Sequence, residues 1–336
     1  MDGQPSAQDH KDQRTGMIVF GSLGVLAGCL CGLFCLFYLA MAAGLLGSAA
    51  RPPFAAFVQV MGFYGGAGVA FIWLGIGSIA CLRWARALIL AMAWLWLVSG
   101  AMGLAVLFAM HGNFDQAMAQ AFKDAGGGPP PGVVLAIKLV TLSVLTVIYV
   151  IIPAALLLFY GRQSVRLTCV ARDPIPRWTD PVPMPALVTA VMLALFSAGL
   201  IVSAITPAWP CFKWLLRGAP AHAAALAQAT LFALAAWGAF RLRPWAWWLG
   251  LIMPLLMTLS FAVFMRKVGV ASYIDAFVLD PQQRKAIEGS PFMEPGKLDW
   301  LMVTYPVLFT GFMLWVKRHF SGAPHRTDDP GSSPGL

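Results

Sequence analysis

The hydrophobic residues of this chain form eight long apolar runs, separated by short polar or charged segments. The runs are Met17–Leu46, Met61–Leu82, Ala87–Met110, Val133–Tyr160, Pro185–Pro207, Ala221–Phe240, Trp245–Met265 and Leu298–Val316. Each is about twenty residues or longer, the length that an α-helix needs to cross roughly 30 Å of hydrocarbon. Backbone groups in lipid must be bonded within their own segment, so we expect helices. The pattern predicts an all-α integral membrane protein with eight transmembrane helices.

Composition supports the membrane class and argues against a soluble domain. Hydrophobic residues make up 59% of the 336 residues, charged residues make up 11%, and the mean hydropathy is +0.75. A soluble domain has about a quarter of its residues charged. The first run is also too long for the roughly 7–15-residue apolar region of a signal peptide, so we interpret it as a membrane span.

The distribution of positive charge predicts the orientation. The formal net charge is +9, and short basic turns follow the second and sixth runs, at Arg83–Arg86 and Arg241–Arg243. Lys and Arg concentrate in short cytoplasmic loops. Eight spans place both termini on the side of these turns, so both are predicted to be cytoplasmic. Frequent Ala, Gly, Pro, Trp and Arg with a single Asn favour a bacterial inner membrane.

The same four-helix pattern occurs twice. We predict a repeat at 17–160, a cytoplasmic Pro-rich linker at 161–184, a second repeat at 185–318, and disordered cytoplasmic tails at 1–16 and 319–336. Each repeat contains a basic turn with a Trp-Ala pair, and the closing runs carry Pro153 and Pro306. Because four is even, the repeats are expected to be parallel, related by an axis along the membrane normal. The alternative is that any series of membrane hairpins looks repetitive.

Polar residues on the fourth run form one face of the predicted helix. Lys138, Thr141, Thr146 and Tyr149 fall within an arc of roughly 140° at 100° per residue. Thr304, Tyr305 and Thr310 form a weaker counterpart on the eighth run. Such faces point into a helix bundle, where they line a cavity or bond neighbouring helices. They are candidates for a polar pathway, with interhelical packing as the alternative.

The linker is a second candidate site. It combines cations with an aromatic residue suited to the membrane interface, namely Arg162, Arg166, Arg172, Arg177 and Trp178. These residues favour a surface for a partner protein or anionic lipid, and the alternative is an ordered hinge between the repeats. Two outer loops are each predicted to carry a short surface helix, at Phe114–Phe122 and Pro281–Glu288.

Motifs for catalysis are absent from the sequence. It contains no phosphate loop, dinucleotide fingerprint, His-Glu-x-x-His or Cys-x-x-Cys. No Asp or Glu lies in the interior of a predicted span, which weakens proton-coupled transport. We therefore expect no cofactor, metal, nucleic acid or catalytic site.

The first hypothesis is a transporter or permease for a small, weakly polar solute moving between the repeats, and the second is a non-catalytic scaffold or assembly subunit. The sequence specifies neither the solute nor the oligomeric state.

Overall fold

The computed structural model describes residues 12–45, 54–109, 132–205, 208–269, 272, 275 and 297–320. Its helices are α1 (Arg14–Ala42), α2 (Phe54–Ile79), α3 (Arg83–Ala109), α4 (Val133–Tyr160), α5 (Gln163–Arg172), α6 (Met184–Ser203), α7 (Ala219–Phe240), α8 (Pro244–Lys267) and α9 (Lys297–Lys317). The strands β1 (Ala208–Cys211) and β2 (Trp214–Arg217) form one hairpin. The surface helices predicted at Phe114–Phe122 and Pro281–Glu288 lie outside the described residues.

The predicted class is confirmed: the described chain is nearly all helical and is a membrane protein by its helices. Seven of them, α1 to α4 and α6 to α8, are long and apolar enough to cross a membrane. The last predicted span falls in α9, whose apolar part, Met302–Lys317, is shorter than the other seven. The largest boundary difference is at α2, which begins at Phe54 rather than at the predicted Met61.

Glycines allow α1 and α2 to pack closely along much of their length. A Cβ atom on Gly21 would lie 2.7 Å from the Gly75 carbonyl oxygen, and one on Gly28 would lie 2.7 Å from the Gly68 carbonyl oxygen. Larger side chains would therefore force the two backbones apart. The hairpin continues into α3, which packs along α4.

The second group of helices packs around the main hydrophobic core. α6 packs on α7, α7 on α8 and α8 on α9. Leu193, Phe232, Trp247 and Met313 are buried at the centre of this group. The Ser197 hydroxyl donates a hydrogen bond to the Ala229 carbonyl oxygen over 2.8 Å and so joins α6 to α7.

The two groups of helices meet where α6 packs against α2 and α3. Ala91 of α3 and Leu187 and Val188 of α6 are buried together there. Gly62 of α2 faces Val202 of α6. In the described part of the chain this seam between the groups is apolar.

Two elements were not predicted. Helix α5 lies inside the predicted linker and buries Val165, Thr168 and Cys169 against the bundle. The prolines after Arg172 do oppose a helix, as expected, because the chain from 173 to 183 is irregular. The β-hairpin turns at Phe212, which adopts a left-handed φ of 49°, without the Gly or Asn that signals such turns. Its Phe212 N–H donates to the Ser260 hydroxyl of α8 over 2.8 Å.

Candidate functional site on the fourth helix and at the basic end

Helix α4 contains a π-helical turn at Val147–Ile151, in the middle of its polar face. Pro153 has no N–H, so the Tyr149 carbonyl four residues earlier lacks its usual helical donor. The Ile152 N–H bonds the Val147 carbonyl, five residues back, and completes the wider turn. Gly100 of α3 lies directly against the Tyr149 backbone, where a Cβ atom would collide with the carbonyl oxygen. Turns of this kind occur frequently at functional sites.

The described protein only partly covers the polar face of α4. From Val133 to Ile151 the helix buries no residue. Lys138, Thr141 and Thr146 are half-buried, and Tyr149 is 41% exposed. Thr146 donates within its own helix, to the Leu142 carbonyl oxygen over 2.8 Å, so it bonds no neighbouring helix through this contact.

The corresponding residues of the last helix lie elsewhere. Thr304, Tyr305 and Thr310 are half-buried in α9, and the Tyr305 ring stacks on Phe309 with centroids 5.9 Å apart. Tyr305 packs against the core of the second group. Because α4 packs on α3 and α9 packs on α8, the two polar sets lie on separate helix pairs in the described residues.

The linker is fastened to the start of α3 by carboxylates. Asp173, which is 4% exposed, accepts a hydrogen bond from the Arg83 N–H over 3.2 Å and two from the Arg177 guanidinium at 2.8 and 2.7 Å. The Arg83 guanidinium pairs with Asp180 at 2.9 Å. The hydrogen bond from Arg177, together with that from Arg83, holds the pKa of Asp173 below its ordinary value.

These contacts separate the five linker candidates into two groups. Arg177 bonds Asp173, Arg172 pairs with Asp12 at 2.7 Å, and Trp178 packs on Phe240 at the end of α7. Arg162 and Arg166 are exposed and take part in none of the ion pairs found among the described residues. Most of the candidate set therefore joins parts of the molecule, as in the hinge alternative.

A buried polar cluster near the linker was missed by the sequence reasoning. The Ser78 hydroxyl of α2 donates to the Met17 carbonyl of α1 over 2.9 Å and also bonds the Tyr160 hydroxyl of α4. The Arg86 Nε–H of α3 donates to the Tyr160 carbonyl over 3.0 Å. No spacing of residues signals this cluster, because it assembles four separate helices.

Two cysteines close to this cluster are poor nucleophiles. Burial raises the pKa of the Cys169 thiol to about 11 and also raises that of the Cys81 thiol. Both stay protonated near neutral pH, and the reactive form of cysteine is the thiolate. Thiol chemistry at this position is therefore disfavoured.

These contacts bring five segments together at one end of the molecule: the start of α1, the end of α4, the linker, and the turns before α3 and α8. We call it the basic end, since it carries Arg83, Arg162, Arg166 and Arg241. Among the described residues, no group of three or more His, Cys, Asp or Glu side chains could hold a metal ion. No known protein family matches the chain, and neither the curated proteins nor the solved structures include a similar protein.

Proposed function

We propose that the chain crosses the membrane eight times, as two parallel four-helix repeats with both termini cytoplasmic. The repeats are α1 to α4 and α6 to α9, and α5 belongs to the linker. Three pairs of matching contacts support this proposal.

The first matching contact is the turn between the second and third helix of each repeat. A Cβ atom on Gly77 would meet Ala85 at 2.6 Å and Trp84 at 2.9 Å. A Cβ atom on Gly238 would meet Ala246 and Trp245, both at 2.6 Å. At the same point of the two turns, Cys81 and Leu242 adopt left-handed φ angles of 57° and 54°, which non-glycine residues rarely adopt.

The second matching contact joins the first and second helix of each repeat. Gly28 of α1 lies against the Gly68 carbonyl of α2, and Ser197 of α6 bonds the Ala229 carbonyl of α7. Gly68 and Ala229 stand at equal distances before the two turns, since each is nine residues from its glycine, Gly77 or Gly238.

The third matching contact joins the third and fourth helix. Arg86 donates to the Tyr160 carbonyl, and the Trp247 indole N–H donates to the Met313 carbonyl over 2.7 Å. The two donors follow the Trp-Ala pair of their turns, and the two acceptors stand seven residues after Pro153 and Pro306. A shared register at three helix pairs favours a duplication over chance similarity between hairpins.

We further propose that the protein is a permease for a small, weakly polar solute. The observation that carries this proposal is the π-helical turn at the exposed Tyr149, on a polar helix face that the described protein only partly covers. The apolar seam of Ala91, Leu187 and Val188 offers a solute no polar partner, so we place the route along α4 and α3 rather than through that seam. The described parts of the spans contain no buried Asp or Glu, the residues that usually couple transport to protons or other ions. This favours passive movement of the solute.

Accessibility of single cysteines tests the route. Thr141→Cys, Tyr149→Cys and Tyr305→Cys are each introduced into a cysteine-free variant and treated with a membrane-impermeant thiol reagent. Val140→Cys is the matched control, because Val140 is 63% exposed on the opposite side of α4. We expect labelling at Thr141 and Tyr149 but not at Val140, nor at Tyr305, which packs against the core of the second group. Equal reactivity at all positions, or none in folded protein, would contradict a water-filled route.

Solute flux tests the activity itself. In proteoliposomes, glycerol and urea are suitable probes because they are small and uncharged. We expect faster flux than in empty liposomes, and we expect a bulky adduct on Tyr149→Cys to reduce it while leaving the untreated variant active. Flux equal to that of empty liposomes for every such solute would contradict the permease.

The scaffold remains a second candidate, favoured by one observation. The first part of α4 buries no residue although it carries Thr141, Ser143 and Thr146, and polar groups facing lipid are costly. A partner helix would cover them. A photo-reactive residue at Thr141 would then give one discrete protein adduct in native membranes, and the same residue at Val140 would not.

A further inference from the structure

The basic end of the second repeat carries cations stacked on exposed indole rings. The Arg241 guanidinium lies 5.6 Å from the centre of the Trp237 ring, and the Arg318 guanidinium lies 5.1 Å from that of Trp315. Both rings are about half exposed. We call Trp237, Arg241, Arg243, Trp248, Trp315 and Arg318 the indole–arginine cluster.

Contacts between three helices hold this cluster together. The Trp247 indole bonds the Met313 carbonyl of α9, and Lys317 of α9 lies over the rings of Trp247 and Trp248 at 5.1 and 5.5 Å. Trp237 of α7 lies 6.5 Å from Trp245 of α8. The end of α7, the start of α8 and the end of α9 therefore meet at one place.

The first repeat shows what kind of group a basic turn of this protein binds. There the linker supplies carboxylates, with Asp173 on the Arg83 N–H and Asp180 on the Arg83 guanidinium. The matching turn of the second repeat carries Arg241 and Arg243, both exposed. Neither takes part in any ion pair found among the described residues, and nor does Arg318.

The acids that the structure describes at the basic end are already engaged elsewhere. Asp12, Asp173 and Asp180 pair with arginines of the linker or of the first repeat. An oxyanion for the second turn must therefore come from another source. Half-exposed tryptophans at helix ends lie at the headgroup level of a membrane, and clustered arginines next to them attract anionic lipids.

We infer that the indole–arginine cluster binds the phosphate headgroup of an anionic phospholipid. The arginines contact the phosphate, and the indoles pack against the glycerol and upper acyl region while holding the guanidinium groups by cation–π contact. The site is separate from the polar face of α4, so it goes beyond the permease proposal, and its test does not depend on transport.

Native mass spectrometry of the purified full chain with added phosphatidylglycerol or phosphatidylcholine tests the inference. We expect the wild type to retain phosphatidylglycerol in preference. In R241Q/R243Q/R318Q we expect its affinity to fall by about tenfold or more, because each nearby cation contributes about 1 kcal/mol. The matched control is R162Q/R166Q, which also removes exposed arginines but none beside an indole.

Each remaining outcome counts against the inference. Equal losses in the two variants would show a diffuse charge effect, and no loss in the triple variant would show that the cluster is not the site. The sequence after α9 contains Asp328 and Asp329. If the D328N/D329N variant retains phosphatidylglycerol and the wild type does not, the chain's own carboxylates occupy the cluster and the lipid assignment is wrong. Circular dichroism checks that every variant is folded.

Discussion

The Ser78 hydroxyl joins three helices at the basic end of the first repeat. It donates to the Met17 carbonyl, so the Tyr160 hydroxyl is the donor in the second bond, and both side chains are at most 1% exposed. We expect Ser78→Ala to lower the free energy of unfolding by about 1–3 kcal/mol, because it leaves the buried Tyr160 hydroxyl without this partner and removes the bond to the Met17 carbonyl. Ser99→Ala is the control, since Ser99 is exposed and bonds only its own helix. Thermal unfolding in mild detergent compares them, and equal midpoints would contradict the assigned role.

Asp173 gives the linker a pH dependence whose sign follows from its lowered pKa. A carboxylate with a lowered pKa in the folded state stabilises that state above its ordinary value of about 4, and the effect disappears as the pH falls through the lowered value. We expect Asp173→Asn to reduce the unfolding temperature near neutral pH. The difference from wild type should shrink progressively below about pH 4. Unfolding measured across that range checks the expectation.

The control for this prediction is Asp12→Asn. Asp12 also pairs with an arginine, Arg172, but its side chain is 52% exposed. Exposed pairs contribute only about 0–1 kcal/mol, so Asp12→Asn should change the unfolding temperature little at any pH. A pH-independent loss in Asp173→Asn would mean that the side chain acts by shape alone and not through its charge.

Among the elements, the pair α1–α2 depends most on small residues. A Cβ atom on Gly75 would lie 2.6 Å from the Gly21 carbonyl oxygen and 2.9 Å from the Val25 backbone nitrogen. We expect Gly75→Ala to destabilise the protein by about 1–3 kcal/mol, because backbone atoms must shift. Gly66→Ala is the matched control on the same helix, since a Cβ atom there meets nothing within 4 Å.

Helix propensity sets the sign expected for the control. Alanine is favoured over glycine inside a helix by about 1 kcal/mol, so Gly66→Ala should raise the unfolding temperature or leave it unchanged. Both variants are measured by thermal unfolding in the same detergent. If the two substitutions lower the temperature equally, close packing of α1 on α2 is not the cause.

The long helices could be predicted from the sequence because apolar length alone determines them. Helix α5 could not, because ten residues from Gln163 to Arg172 are too short and too polar for that signal. The β-hairpin at Phe212 carries no residue typical of its turn and is held by a distant contact with Ser260. These elements form because the rest of the bundle provides a surface for them.

The candidate sites show the same limit. The polar residues of α4 could be identified by their 100° spacing, and Pro153 accounts for the π-helical turn beside them. That spacing contains no information on which helix lies opposite. It therefore made α9 a counterpart of α4, although α4 packs on α3 and α9 packs on α8. The charges of the linker were visible, but their pairing depends on Arg83 in another helix.

For the whole molecule, the parallel repeats require the linker, the two basic turns and the end of α9 to lie on one side of the membrane. The end of α9 lies beside the start of α8, because Lys317 contacts Trp247 and Trp248. This contact places the end of α9 at the basic end, as the proposed eighth span requires, although the apolar part of α9 is short. It therefore supports eight spans rather than seven.

Sidedness of single cysteines in a cysteine-free variant tests this topology. Arg166→Cys, Arg243→Cys and Arg318→Cys lie in the linker, in the second basic turn and after α9, whereas Lys213→Cys lies at the tip of the β-hairpin. All four positions are exposed. With an impermeant reagent, we expect the first three to react only in inverted vesicles and Lys213→Cys only in spheroplasts.

Labelling of Arg318→Cys from the same side as Lys213→Cys would leave α9 outside the membrane. Labelling of Arg166→Cys and Arg243→Cys from opposite sides would rule out parallel repeats. Only one of the two helices between these positions, α6 and α7, would then cross the membrane.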